Sequence, residues 1–148
     1  MARFIFKLKS LLNIKTQMED ALKNELAKAI RCLEDEKGIL KNFKEEQKKC
    51  MSEISSESSN GVTVDRLRAY STYISFLKEK ILKQAKKVKS AQQVVDKYRE
   101  ELIQASKEKK MLETLRDKQY NQYLKEQEKQ EVKRIDEVIS YKESTKRS

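Results

Sequence analysis

Ile54-Ser55-Ser56-Glu57-Ser58-Ser59-Asn60-Gly61-Val62-Thr63-Val64-Asp65-Arg66-Leu67 holds one of the two glycines of a chain without proline, in a stretch where serine displaces the aliphatic residues seen elsewhere. Glycine after asparagine is a strong helix terminator, because glycine takes the left-handed backbone conformation at no steric cost. With the chain folded back at Gly61, apolar residues on either side meet in one constant antiparallel register. Ile54 meets Leu67, Phe43 meets Leu77, Leu40 meets Ile81, Leu33 meets Val88, Leu26 meets Val95, Leu22 meets Tyr98, Met18 meets Leu102 and Leu8 meets Leu112. The expected fold is all-α: two long helices in an antiparallel coiled-coil hairpin, with the bend near residue 60 and the second helix longer.

Working outward, alternating steps of three and four residues run through Phe4, Leu8, Leu11, Lys15, Met18, Leu22, Leu26, Ala29, Leu33, Glu36, Leu40, Phe43, Gln47, Cys50 and Ile54. The second arm repeats the pattern with Leu67, Tyr70, Ile74, Leu77, Ile81, Ala85, Val88, Ala91, Val95, Tyr98, Leu102, Ala105, Lys109, Leu112 and Leu115. Both have the period of an amphipathic helix. In this register Lys109 faces Leu11, while Lys15, Glu36 and Gln47 face Ala105, Ala85 and Ile74, so no polar rung is expected opposite another. Each long side chain is then free to snorkel to water. Thr63 or Asp65 is the expected cap of the second helix. Gly38 lies inside the unbroken first ladder and reads as a weak point costing about 1 kcal/mol, not as a second bend.

These patterns make the chain one hairpin domain over 1–148, with helix one over 2–57, the bend over 58–64, helix two over 65–142 and a frayed tail over 143–148. The second arm outruns the first from Tyr120 to Ile139, roughly 30 Å of helix at 1.5 Å per residue. Its pattern persists there in Tyr120, Tyr123, Leu124, Val132, Ile135, Val138 and Ile139. An isolated helix of this kind is marginal in water, so the stripe reads either as a frayed tail or as a surface that another protein buries.

The composition agrees, with 37% hydrophobic and 39% charged residues against the roughly 45–50% apolar content of a globular domain. Cys32 and Cys50 lie on one helix about 27 Å apart, too far for a disulfide, and read as reduced thiols of a cytosolic protein. The N-terminus has a three-residue apolar run, whereas a secretory signal needs about 7–15 residues and a membrane span about 20. The chain is therefore expected to be neither inserted nor Sec-exported. Its net charge is +10, and the excess lies on the second arm. Lys78, Lys80, Lys83, Lys86, Lys87 and Lys89 stand there against the single acid Glu79. This run reads as solubilising residues flanking the seam, as a site for an acidic protein, or, least well, as a nucleic-acid surface, since it lacks arginine and interleaved aromatics.

Without histidine the commonest general base and metal ligand is absent. Two distant cysteines make no zinc site, two distant glycines no phosphate loop, and a hairpin no concave pocket. No enzyme activity, catalytic residue, cofactor, metal or small-molecule ligand is expected.

Phe4-Ile5-Phe6-Lys7-Leu8 leading into Leu11-Leu12, the run Glu25-Leu26-Ala27-Lys28-Ala29, and Asn60-Gly61 followed by Leu67 and Tyr70-Ser71-Thr72-Tyr73-Ile74-Ser75-Phe76-Leu77 are similar to features of the FliJ family of flagellar type III export proteins. So is the terminal stretch 112–136, with Leu115, Arg116, Asp117 and Tyr123. The family in turn resembles the central stalk of rotary ATPases. The resemblance implies a cytoplasmic protein, peripheral at the inner face of the inner membrane through the export apparatus. Its partners would be the hexameric export ATPase, the cytoplasmic domain of the export gate, and export chaperones. It implies ATPase ring contact through Phe4, Phe6, Tyr123, Leu124, Ile135 and Ile139, and gate contact through Tyr73, Leu77, Lys80 and Gln84. Two rival readings stay open: a structural or tethering coiled coil, and a nucleic-acid-associated basic coiled coil whose binding would fall steeply with salt.

Overall fold

A computed structural model of the chain describes residues 3–146. Two helices account for nearly all of them: α1, Lys9–Ser58, and α2, Val64–Lys146. The second is the longer, 83 residues against 50. Among the described residues there is no strand. The break falls where serine, asparagine and glycine accumulate. Gly61 has φ of 82°, in the left-handed region, and the Asn60 amide donates to the Glu57 carbonyl at 3.0 Å. Thr63 caps α2: its Oγ1 accepts from the Arg66 amide at 3.4 Å, while Asp65 places an acid in the first turn, where the helix dipole favours it. Gly38 leaves α1 unbroken, and a Cβ there would meet nothing within 4 Å.

The chain clusters into two compact units, Asp20–Ile103 and Met1–Glu19 with Gln104–Ser148. The first contains the bend, with its two helical stretches paired antiparallel. Its core is Ala29, Leu33 and Val95, with Leu26, Ile30, Val88, Ala91 and Tyr98 packed around them, as the register requires. Leu77 and Cys50 are buried nearer the bend. There Arg66 pairs with Glu57 at 2.7 Å, Tyr73 donates to Glu46, and Gln84 bonds Glu36.

That last contact corrects an expectation. Gln84, not Ala85, is buried, and it lies opposite Glu36, so two polar rungs do face each other. Gln84 Nε2 donates to the Glu36 carbonyl at 2.9 Å and to the Glu36 carboxylate, which satisfies the amide and makes its burial tolerable.

In the other unit α1 begins at Lys9, whereas the periodicity suggested a start near residue 2, which lies outside the described residues. Phe4 is half-buried, Ile5 is 77% exposed and Phe6 is 6% exposed. Alternation of this kind suits extended backbone, where residues two apart share a side, whereas a helix would set Phe4 and Phe6 on divergent faces. Phe6 enters the seam that Leu8 and Leu11 were expected to fill, and those two are left partly exposed. The helix then settles one residue out of the expected phase, burying Leu12 and Glu19 while Met18 is 45% exposed. Glu19 is held by Ser106 Oγ, which donates at 3.0 Å, and by Lys109 at 3.5 Å. Lys15 meets Glu108 at 2.5 Å, so the polar rungs here also pair with polar groups. At the C-terminal end α2 stays helical through Lys146; of the tail 143–148, residues 147 and 148 lie outside the described residues.

Candidate partner-binding surfaces

The first surface lies where the N-terminal lead meets α2. Extended backbone brings Phe4 onto two tyrosines one turn apart. Its ring stands edge-on to Tyr120 at 5.2 Å and tilted to Tyr123 at 5.6 Å, and the two tyrosines stack at 6.4 Å. Such offset and edge-to-face contacts are favoured by the ring quadrupole. Beyond this clasp α2 continues without α1 beside it. Leu124, Val132, Ile135, Val138 and Ile139 are all exposed there, Ile135 at 51% and Ile139 at 50%. Their spacing puts them on one side of the helix.

Of the six residues implied for ring contact, Phe4 and Tyr123 come together, and Leu124, Ile135 and Ile139 remain open to a partner. Phe6 does not: at 6% exposure its ring is consumed by intramolecular packing. The sequence carried a signal for this in Phe4-Ile5-Phe6, three consecutive aromatic and β-branched residues that favour extended backbone.

The second surface lies nearer the bend. Tyr73 and Phe76 stack at 6.4 Å, and Lys80 Nζ stands 5.4 Å from the centre of the Phe76 ring, within cation–π range. Tyr73 donates to the Glu46 carboxylate, a bond that, with partial burial, raises the phenol above its ordinary pKa. Of the residues implied for gate contact, Tyr73 and Lys80 are exposed. Leu77 and Gln84, exposed to 1% and 4%, point into the seam and cannot meet a partner while the helices are paired. Phe76, 51% exposed, takes their place on the surface; it is missed from the seam ladder because it sits off that ladder.

Both cysteines are free, Cys32 exposed and Cys50 buried. Burial and the nearby Glu53 and Glu46 carboxylates push the Cys50 thiol pKa up, away from reactivity. Among the described residues no three metal-ligating side chains cluster, and no helix is long and apolar enough to cross a membrane.

An antiparallel helical hairpin, with an exposed apolar stripe past the aromatic clasp in one unit and an aromatic–lysine face in the unit that holds the bend, defines the class of helical coiled-coil proteins. Residues 4–148 match the family model described as flagellar FliJ protein, and the chain belongs to that family of type III export coiled-coil proteins. No curated protein matches it closely. Its fold is similar to a solved structure described as a candidate YscO homolog, CT670, from Chlamydia trachomatis, at 23% identity over 93% of each chain and a TM-score of 0.48.

Proposed function

We infer that this chain acts as a stalk in flagellar type III export. Its open end, with the Phe4–Tyr120–Tyr123 clasp and the stripe of Leu124, Ile135 and Ile139, enters the bore of the hexameric export ATPase and promotes ring assembly. The face of Tyr73, Phe76 and Lys80 meets the cytoplasmic domain of the export gate, and export chaperones are further partners on the same apparatus. This places the protein in the cytoplasm, peripheral at the inner membrane through that apparatus.

The observation that carries the reading is the run of exposed aliphatic side chains on α2 past the last contact with the N-terminal lead. Nearly all the described residues of this stretch are exposed, so little packing stabilises the helix there, and a few aliphatic and aromatic anchors at a protein interface supply most of its binding energy. Family membership supplies the apparatus in which such a partner is found.

The test is to mix the purified protein with the cognate export ATPase and follow hexamer formation by light scattering together with ATP hydrolysis. Stimulation of both supports the stalk. Absence of both, with a helical monomer confirmed, removes it and leaves a tethering coiled coil.

A further inference from the structure

The charge excess is one-sided. In the unit that holds the bend, Lys37, Lys41, Lys44 and Lys48 follow one another at helical spacing along one flank of α1, where they border a shallow surface groove with Leu40 and Glu45. Across the seam, Lys78 and Lys89 occupy the equivalent flank of α2, with Leu82 between them. In an antiparallel pair, like flanks of the two helices lie on the same side, so these side chains share one face. All are exposed. Among the described residues only Lys41 of the six has an ion pair, with Glu45 at 4.0 Å. The exposed Glu34 and Glu45 border this row, so its side carries six lysines against two carboxylates, whereas on the opposite flank Lys80, Lys83 and Lys87 stand against Asp35, Glu46 and Glu53 in equal number.

We propose that this lysine face binds the surface of an anionic lipid bilayer directly. From Lys37 to Lys48 the row spans about 16 Å, and a paired helix adds about 10 Å of width, a flat area that several lipid headgroups fill. The face has no arginine, tyrosine or tryptophan, the side chains that anchor protein interfaces. Nor has it the arginines that read grooves or the aromatics that stack on bases. Lysine ammoniums are strongly hydrated point charges that need no fixed geometry in their partner, which suits a fluid array of phosphates. At the centre stands Leu82, 66% exposed, an aliphatic side chain that a headgroup layer shelters and water does not. The contact is independent of the ATPase ring.

The test uses the full chain with vesicles of phosphatidylcholine alone or with about one quarter phosphatidylglycerol, the polybasic attraction falling within a Debye length of the surface. Sedimentation with the anionic vesicles only, weakening as salt rises, is expected. Replacing Lys41, Lys44, Lys78 and Lys89 by Gln lowers partitioning by about a hundredfold or more, each lysine near the surface being worth about fivefold. Replacing Lys80, Lys83 and Lys87 of the opposite flank together with the exposed Lys49, which the 100° step per residue turns off the lysine row, removes the same charge and lowers it far less. Lysine-to-arginine changes at the first four positions retain binding. Since the chain has no tryptophan, Leu82→Trp gives a single reporter whose emission shifts to the blue on anionic vesicles, a readout that needs no multiple variant to fold. Failure of the parent chain to sediment at low salt overturns the proposal. So does equal loss in both quadruple variants, or a preference for duplex DNA over vesicles with Leu82→Trp emission unchanged.

Discussion

Gln84 Nε2 on α2 donates to the backbone carbonyl of Glu36 on α1 at 2.9 Å, at a site where Gln84 is only 4% exposed. A buried amide satisfied by one residue of the opposite helix ties the two helices to a single register, since a slip by one turn would leave it unpaired.

Gln84→Ala should therefore destabilise the chain by about 1–3 kcal/mol, the cost of a lost bond and an under-satisfied acceptor. Gln84→Leu should be close to neutral, because it fills the space with apolar atoms. Urea unfolding followed by circular dichroism distinguishes them; equal losses would mean that packing, not the hydrogen bond, matters here.

The two glycines should respond in opposite directions. Gly38→Ala adds a Cβ into open space inside a helix and should stabilise by about 0.5–1 kcal/mol. Gly61→Ala forces an L side chain to φ of 82° and should cost about 1–2 kcal/mol. Thermal melts of the two variants read both signs.

Acid should loosen the unit that holds Lys15 and Glu108. Hydrogen bonds from Lys15, then from Gln104, hold the Glu108 carboxyl below its ordinary value of 4.5. A carboxylate with a folded pKa below its unfolded one binds fewer protons when folded. Its contribution is thus present above pH 4.5 and is lost as pH falls through the lower folded value. Glu108→Gln should flatten the fall in melting temperature on acidification below that pH while leaving the neutral-to-alkaline side of the profile in shape.

Ile135→Asp with Ile139→Asp should leave the melting temperature nearly unchanged, since both side chains are half-exposed. The same pair should abolish stimulation of the export ATPase. Unchanged stimulation would exclude the stripe from the ring contact.

Nearer the bend, Leu77→Ala should cost about 2–4 kcal/mol by leaving a cavity in the seam. Phe76→Ala should leave stability almost intact and weaken gate binding. Isothermal titration against the gate's cytoplasmic domain, read beside the unfolding curves, separates surface contact from structural support.

The two helices, their antiparallel order, the bend at Asn60-Gly61 and the core around Leu33 and Val95 were legible in the sequence. A three-and-four spacing of aliphatic residues and a glycine with no proline elsewhere leave a long helix few alternatives. Period alone also revealed that α2 carries apolar residues past the point where α1 has run out. It did not reveal which neighbour of a rung is buried. Leu12 or Leu11, Glu19 or Met18, and Gln84 or Ala85 differ by one position, a rotation of the helix that depends on what the facing helix offers. Glu19 turns inward because Ser106 and Lys109 meet it, and Gln84 because Glu36 does. Phe6 leaves the helix because extended backbone lets it share a side with Phe4. Local spacing therefore determined the elements and their direction. Hydrogen bonds and packing between residues distant in the chain decided the rotation of each helix, and with it which side chains remain on the surface for a partner.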